Sequence, residues 1–171
     1  MGSPNDTIPT LEEDKSGYGN DKKQWRAWGH ANNEQVQSTW YIKVDDDAYL
    51  HVDRLEKTLA KLDPEGVKVY GRCDNFTWEP KPFCDGGSAI ILTRGALAAM
   101  MKWYYEGKCK DTGHNDLSTS WCFVDNGAYL TPIPGLHGEP PANWHELSTD
   151  ITWHHLDPDG VRRVDNIFYY K

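Results

Sequence analysis

The sequence predicts an α/β chain in which strands alternate with helices, and three observations predict it. Thr39 to Val44 is a β-branched and aromatic run that reads as a buried strand, ending directly in Asp45-Asp46-Asp47. Leu55, Leu59 and Leu62 recur at helical spacing ahead of a second apolar run, Val67 to Gly71. A third run, Ala89 to Leu92, passes into a helical stretch that reaches about Tyr105.

Taken in order, residues 1–24 are polar and lack apolar periodicity, so a loose lead-in is expected. A short helix is predicted over 25–36. After the first strand, Asp53 is placed to cap a helix spanning Val52 to Leu62, which Asp63-Pro64-Glu65-Gly66 stops. Val67 to Gly71 follows as the second strand. Gly86-Gly87-Ser88 leads into the third strand, and Thr93-Arg94-Gly95 opens the last of these helices. A glycine pair at such a place permits close approach of a ligand to the backbone, or simply a tight turn.

Composition narrows the function classes. The 171 residues carry 26 acidic and 18 basic side chains, a formal charge of −8. No basic stripe is present to neutralise phosphates, so no nucleic-acid partner is expected. No apolar run approaches the ~18 residues of a membrane span. Eight Trp and nine Tyr against four Phe give most large rings a polar handle, which suits stacking on sugars as well as ordinary packing.

The four cysteines fall as two close pairs, Cys73 with Cys84 and Cys109 with Cys122. The tight Cys-x-x-Cys spacing of zinc sites is absent, so two local disulfides and an oxidising compartment are expected. The sequons at Asn5 and Asn75 agree with a secretory route, with Asn75 the candidate glycosylation site.

Three adjacent carboxylates at a strand's C-terminal end repel one another unless a cation or a hydrogen-bond network compensates. Open α/β sheets bind ligands just outside those strand ends. Oxygen ligands of this kind suit Mg²⁺ or Mn²⁺, which in turn clamp a diphosphate. The other reading is a solvated acidic turn. The stretch lacks the glycine and distant glutamate of an EF-hand loop.

These residues also carry a family resemblance. Trp40-Tyr41-Ile42-Lys43-Val44-Asp45-Asp46-Asp47-Ala48-Tyr49-Leu50 resembles the DxD strand of the family 31 inverting glycosyltransferases, which include the Fringe enzymes and the core 1 β1,3-galactosyltransferases. Val69-Tyr70-Gly71-Arg72 resembles that family's "YFGR" strand, and Gly86 to Ala89 with Leu92 to Leu97 resembles its "GGAGYVLSxxAL" segment. Cys109 to Cys122, enclosing Asn115-Asp116-Leu117, resembles the "C…EDLxxGxC" block. Ile151 to Pro158 resembles "SFHYVDP". The stations occur in the family's order across about residues 37–171, and the core 1 subgroup is the nearest in pattern.

The resemblance implies a GT-A-like mixed sheet flanked by helices over 37–171, preceded by a polar lead-in over 1–36. It also implies an N-terminally truncated form, since the family places a nucleotide-binding βαβ portion and a membrane anchor ahead of the DxD strand. Carried over, Asp45 and Asp47 hold Mn²⁺ and, with Asp46, bind the donor diphosphate. His154 adds a metal ligand, with His155 and His137 as rivals. Asp116 falls at the general base, although it is also suited to cap a helix near Leu117, and Asn115 replaces the family's usual acid. Gly86, Gly87 and Trp78 are candidates for acceptor binding, with Trp144 as a further stacking candidate.

The implied function is Mn²⁺-dependent inverting transfer of galactose or an N-acetylhexosamine from a UDP-sugar to a glycan or glycoprotein, in β1,3 linkage. The implied compartment is the Golgi or endoplasmic-reticulum lumen. An exposed sheet edge is expected to be covered by self-association as a homodimer. The alternative is a non-catalytic relative that binds a glycan or a partner protein.

Overall fold

The computed structural model describes residues 20–33, 38–74, 78–143 and 149–169. Five helices and nine short strands follow one another along them: α1 (Asn20–Asn33), β1 (Trp40–Lys43), β2 (Tyr49–Leu50), α2 (Val52–Leu59), β3 (Val69–Gly71), β4 (Cys73–Asp74), β5 (Phe83–Cys84), β6 (Ile90–Thr93), α3 (Arg94–Tyr105), α4 (Asn115–Asp125), β7 (Leu130–Pro132), β8 (Leu136–His137), β9 (Thr152–Trp153) and α5 (Pro158–Tyr169). The architecture is α/β, with mixed sheets flanked by helices, and is consistent with a GT-A-like fold.

The main sheet has the order β1-β6-β3-β7. Strand β6 runs antiparallel to both β1 and β3, and β3 runs parallel to β7. Ile90 and Leu92 pack on one side of β6 with Trp25, Trp28, Leu97, Met100 and Phe123. Ile91 packs on the other side with Leu55, Leu59 and Tyr70. Burial on both faces is why β6 reads as an unbroken apolar run rather than an alternating one. Each of these fully buried side chains contributes about 1.5–3 kcal/mol of transfer free energy.

Thr93 accepts the N–H of Ala96 at 3.1 Å and so caps α3, as Thr93-Arg94-Gly95 suggests. Four local expectations change. Helix α1 starts at Asn20 and buries Trp25 and Trp28, so residues 20–24 are helical rather than a loose lead-in. Helix α2 is capped at His51 without a side-chain hydrogen bond, and Asp53 lies in its first turn. Helix α4 begins at Asn115 behind His114, which places Asp116 inside the first turn.

Strand β1 is half-buried rather than buried, with Ile42 38 % exposed, because it forms one edge of the sheet. The second sheet, β2-β9-β8, pairs β9 antiparallel to β2 and parallel to β8. Helix α5 covers it through Val164, beside Tyr49, Trp153 and Leu156. Among the described residues, no helix is long and apolar enough to cross a membrane.

Candidate functional site

The triplet Asp45-Asp46-Asp47 leaves the end of β1 and turns at once into β2, with Ala48 N–H donating to the Asp45 carbonyl at 3.2 Å. Strand register then brings in the C-terminal segment. Tyr49 pairs with Trp153, so the residues just before Tyr49 face those just after Trp153. Leu156 N–H donates to the Asp47 carbonyl at 2.9 Å and locks that approach.

The result is an acid–imidazole cluster. His154 Nε2 lies 3.0 Å from Asp47 Oδ1 and 3.6 Å from Asp45 Oδ2. His155 Nδ1 lies 3.6 Å from Asp47 Oδ2, and the two imidazoles stack with centroids 3.8 Å apart. His155 adopts φ 57°, a left-handed conformation uncommon for a side-chain-bearing residue. Asp46 is exposed.

Asp47, His154 and His155 each offer a ligand atom, and these atoms lie within 4.8 Å of one another. Divalent-cation bonds of about 2.0–2.4 Å bridge such a spread, and mixed carboxylate–imidazole donors suit a borderline cation. The residues therefore fit a cation such as Mn²⁺. His137 lies elsewhere: its Nε2 is 3.0 Å from Asp150 Oδ1, its ring stacks on Trp153, and it lines a separate cleft.

The glycine pair explains how the cluster is packed. A Cβ on Gly87 would lie 2.0 Å from His154 Cε1, so only glycine leaves room for that ring. A Cβ on Gly86 would lie 2.9 Å from Lys43 Nζ and 3.1 Å from Asp116 Cβ. Lys43 Nζ donates to Asp45 Oδ1 and, at 3.1 Å, to the Gly86 carbonyl, linking the acid cluster to the loop beside Asp116. The same loop carries Asp85, which accepts from Ser88, Arg72 and Gly87 N–H. Burial disfavours the charged form of Asp85, yet these hydrogen bonds and nearby His154 hold its carboxyl below the ordinary value.

Asp116 behaves differently. Burial pushes its carboxyl above the ordinary value, against the opposing pull of the Leu117 N–H and the Lys43 charge. The Leu117 N–H donates to its Oδ1 at 2.8 Å.

Both disulfides are present, Cys73–Cys84 across paired strands and Cys109–Cys122 between α4 and the loop that precedes it. Cys84 N–H donates to Ser120 Oγ at 3.0 Å, which fixes the Asp85–Gly87 loop against α4. A groove of about 990 Å³ runs along α1, the β1 edge, the three aspartates, Asn115, His154 and His155. Trp78 is 71 % exposed and does not line it. Asn75 and Trp144 lie outside the described residues.

Sequence reasoning did not single out Lys43, Asp85 or Arg72. Lys43 was visible within the aspartate strand, but its contact with Gly86 joins residues 43 positions apart.

This is a mixed α/β sheet with an acid–imidazole cluster at the end of its edge strand. The sequence pattern of the Fringe-like family matches residues 15–139, and the chain belongs to that family. The match starts ahead of residue 37, taking in α1, and stops before the segment that carries His154. The chain is also 29 % identical over 104 residues to the glycoprotein-N-acetylgalactosamine 3-beta-galactosyltransferase 1 of Xenopus laevis, covering 57 % of this chain and 28 % of that relative. The match therefore spans less than a third of the length of this relative.

Proposed function

We propose that the chain carries the catalytic end of an inverting glycosyltransferase that takes a sugar from a UDP-sugar, with Mn²⁺, and passes it to a glycan or glycoprotein hydroxyl. The observation that carries this reading is the convergence of Asp45, Asp47 and His154, from segments about a hundred residues apart, next to the loop against which Asp116 is buried. The Xenopus laevis relative's name supports galactose as the donor sugar and a β1,3 linkage.

Asp45, Asp47 and His154 would hold the cation, with His155 adjoining, and Asp46 faces the donor in the groove. When bound, the cation supplies Lewis-acid stabilisation to the departing nucleotide diphosphate. Asp116 takes the proton of the acceptor hydroxyl as that oxygen attacks the anomeric carbon and UDP leaves. Its raised proton affinity matches this task, because a base works best with a pKa near the working pH. Gly86 and Gly87 serve the site by leaving room for Asp116 and His154 rather than by opening the backbone to the acceptor. The two disulfides support an oxidising lumen, the Golgi or endoplasmic reticulum.

Calorimetric titration of UDP with Mn²⁺ and then with EDTA tests the reading. Binding that requires the cation, followed by transfer from a UDP-sugar, is expected. A folded chain that binds no UDP under either condition overturns it and leaves the non-catalytic reading.

A further inference from the structure

Helix α1 carries no residue of the acid–imidazole cluster, yet its side chains make four hydrogen bonds to residues 111–119, the stretch that presents Asp116. Asp21 Oδ2 accepts the Gly113 N–H at 2.7 Å, from a side chain that is only 4 % exposed. Trp25 Nε1 donates to Asp111 Oδ1 at 2.7 Å. Gln24 Nε2 donates to the Asn115 carbonyl at 3.0 Å and to Thr119 Oγ1. Asn115 and Thr119 are one turn apart, so the Gln24 amide grips the first turn of α4 immediately before the carboxyl that matters.

We infer that Asp21, Gln24 and Trp25 are positioning residues that set where Asp116 sits, making α1 a working part of the transfer site. The inference rests on the transfer reading given above. Helix α4 starts behind His114 without a side-chain cap, so its first turn depends on outside contacts for its place. The Thr112–Ser118 hydrogen bonds and the Cys109–Cys122 bridge brace the loop internally. The Cys84 N–H bond to Ser120 Oγ ties α4 to the Asp85–Gly87 loop one turn beyond Asp116, whereas the α1 bonds act on the first turn itself. Helix α1 packs on α3 and α4, and α3 in turn packs on β6, which joins the two halves of the site. A base held by such a clamp is sensitive to it, because a misplacement of about 1 Å costs up to roughly 100-fold in rate.

Gln24 also lines the groove, whereas Asp21 and Trp25 do not, so the latter two give the cleaner test. Asp21→Leu and Trp25→Phe each remove one hydrogen bond while leaving an apolar or aromatic side chain in place. Each is expected to lower kcat about 10-fold or more, with the Mn²⁺-dependent affinity for UDP within about twofold of the parent. Asp21→Asn retains an acceptor for the Gly113 N–H and should restore most of the rate. An unchanged kcat, or a loss of kcat matched by an equal loss of UDP affinity, overturns the inference.

A second readout separates this inference from the functional reading. Amide hydrogen exchange at Leu117 and Ser118 in the full chain should quicken in Asp21→Leu and return in Asp21→Asn. If the parent chain transfers no sugar, the functional reading fails while this exchange still reports on the clamp. Exchange that matches the parent in every variant refutes the clamp itself.

Discussion

Replacing Gly87 with alanine adds one methyl group and tests the acid–imidazole cluster without touching any of its residues. The new Cβ would stand 2.0 Å from His154 Cε1, 2.1 Å from Nδ1 and 2.4 Å from Nε2. Ordinary contact begins near 3.4 Å, so the ring must retreat by about 1.4 Å. Metal–ligand distances tolerate only about 0.2 Å, which makes such a retreat equivalent to losing the ligand. Gly87 does not sit at a left-handed φ, and its N–H bond to Asp85 survives the substitution, so the cost falls on the imidazole rather than on the backbone. Disturbing even outer partners of a metal site costs about 10–100-fold in affinity, or about 1.4–2.7 kcal/mol, and Gly87→Ala should lose at least that. The assay is the Mn²⁺ concentration that half-saturates UDP binding, measured beside His154→Ala. The double variant should bind no worse than either single one, because both remove the same interaction. A Gly87→Ala protein with the parent's Mn²⁺ dependence would refute the assignment of His154.

The remaining predictions probe the two acids, the lysine between them and the disulfides. Asp47→Ala should abolish Mn²⁺-dependent UDP binding, and unchanged affinity in calorimetry would remove its metal role. Asp116→Asn should leave UDP binding intact while cutting transfer by roughly 100-fold or more, the usual scale for a lost general base; transfer at the parent rate would clear it of that role. Transfer needs Asp116 ionised, so kcat should fall on acidification at a pH above that of an ordinary carboxylate. Lys43→Met removes a charge that favours the carboxylate, so the acid limb should move to still higher pH, and a downward move would contradict the burial argument. Reduction should lower the melting temperature. The bridges span separations of 11 and 13 residues, each worth about 3 kcal/mol in the chain-entropy account, or roughly 6–12 °C per bridge for a chain of this size.

How much was legible in the sequence depended on how local the cause was. The Thr93 cap and the apolar run of β6 are written in neighbouring residues, and both appear where periodicity and capping chemistry place them. The helix that the sequence places over 25–36 is present as α1, but it starts earlier, at Asn20, because the partners that stabilise its first turns are distant. Its own sequence, NDKKQWRAWGHANN, is polar on average, and two tryptophans buried against α3 and the sheet make it part of the core. The exposure of β1 was likewise invisible, since an aromatic and β-branched run reads the same at an edge as at a centre.

By itself the sequence determined the α/β class, the order of the motif-bearing segments, the even cysteine pairing and the chemical types available for a site. Those follow from side-chain periodicity, turn chemistry and spacing along one chain. Only the tertiary structure decided that His154 and His155, rather than His137, meet Asp47, because the register Tyr49 to Trp153 sets that choice. It also turned the glycine pair into the space that His154 and Asp116 occupy, and made Lys43 the link between them. Contacts across forty to a hundred residues arise from strand pairing and packing, and no local pattern of residues encodes them.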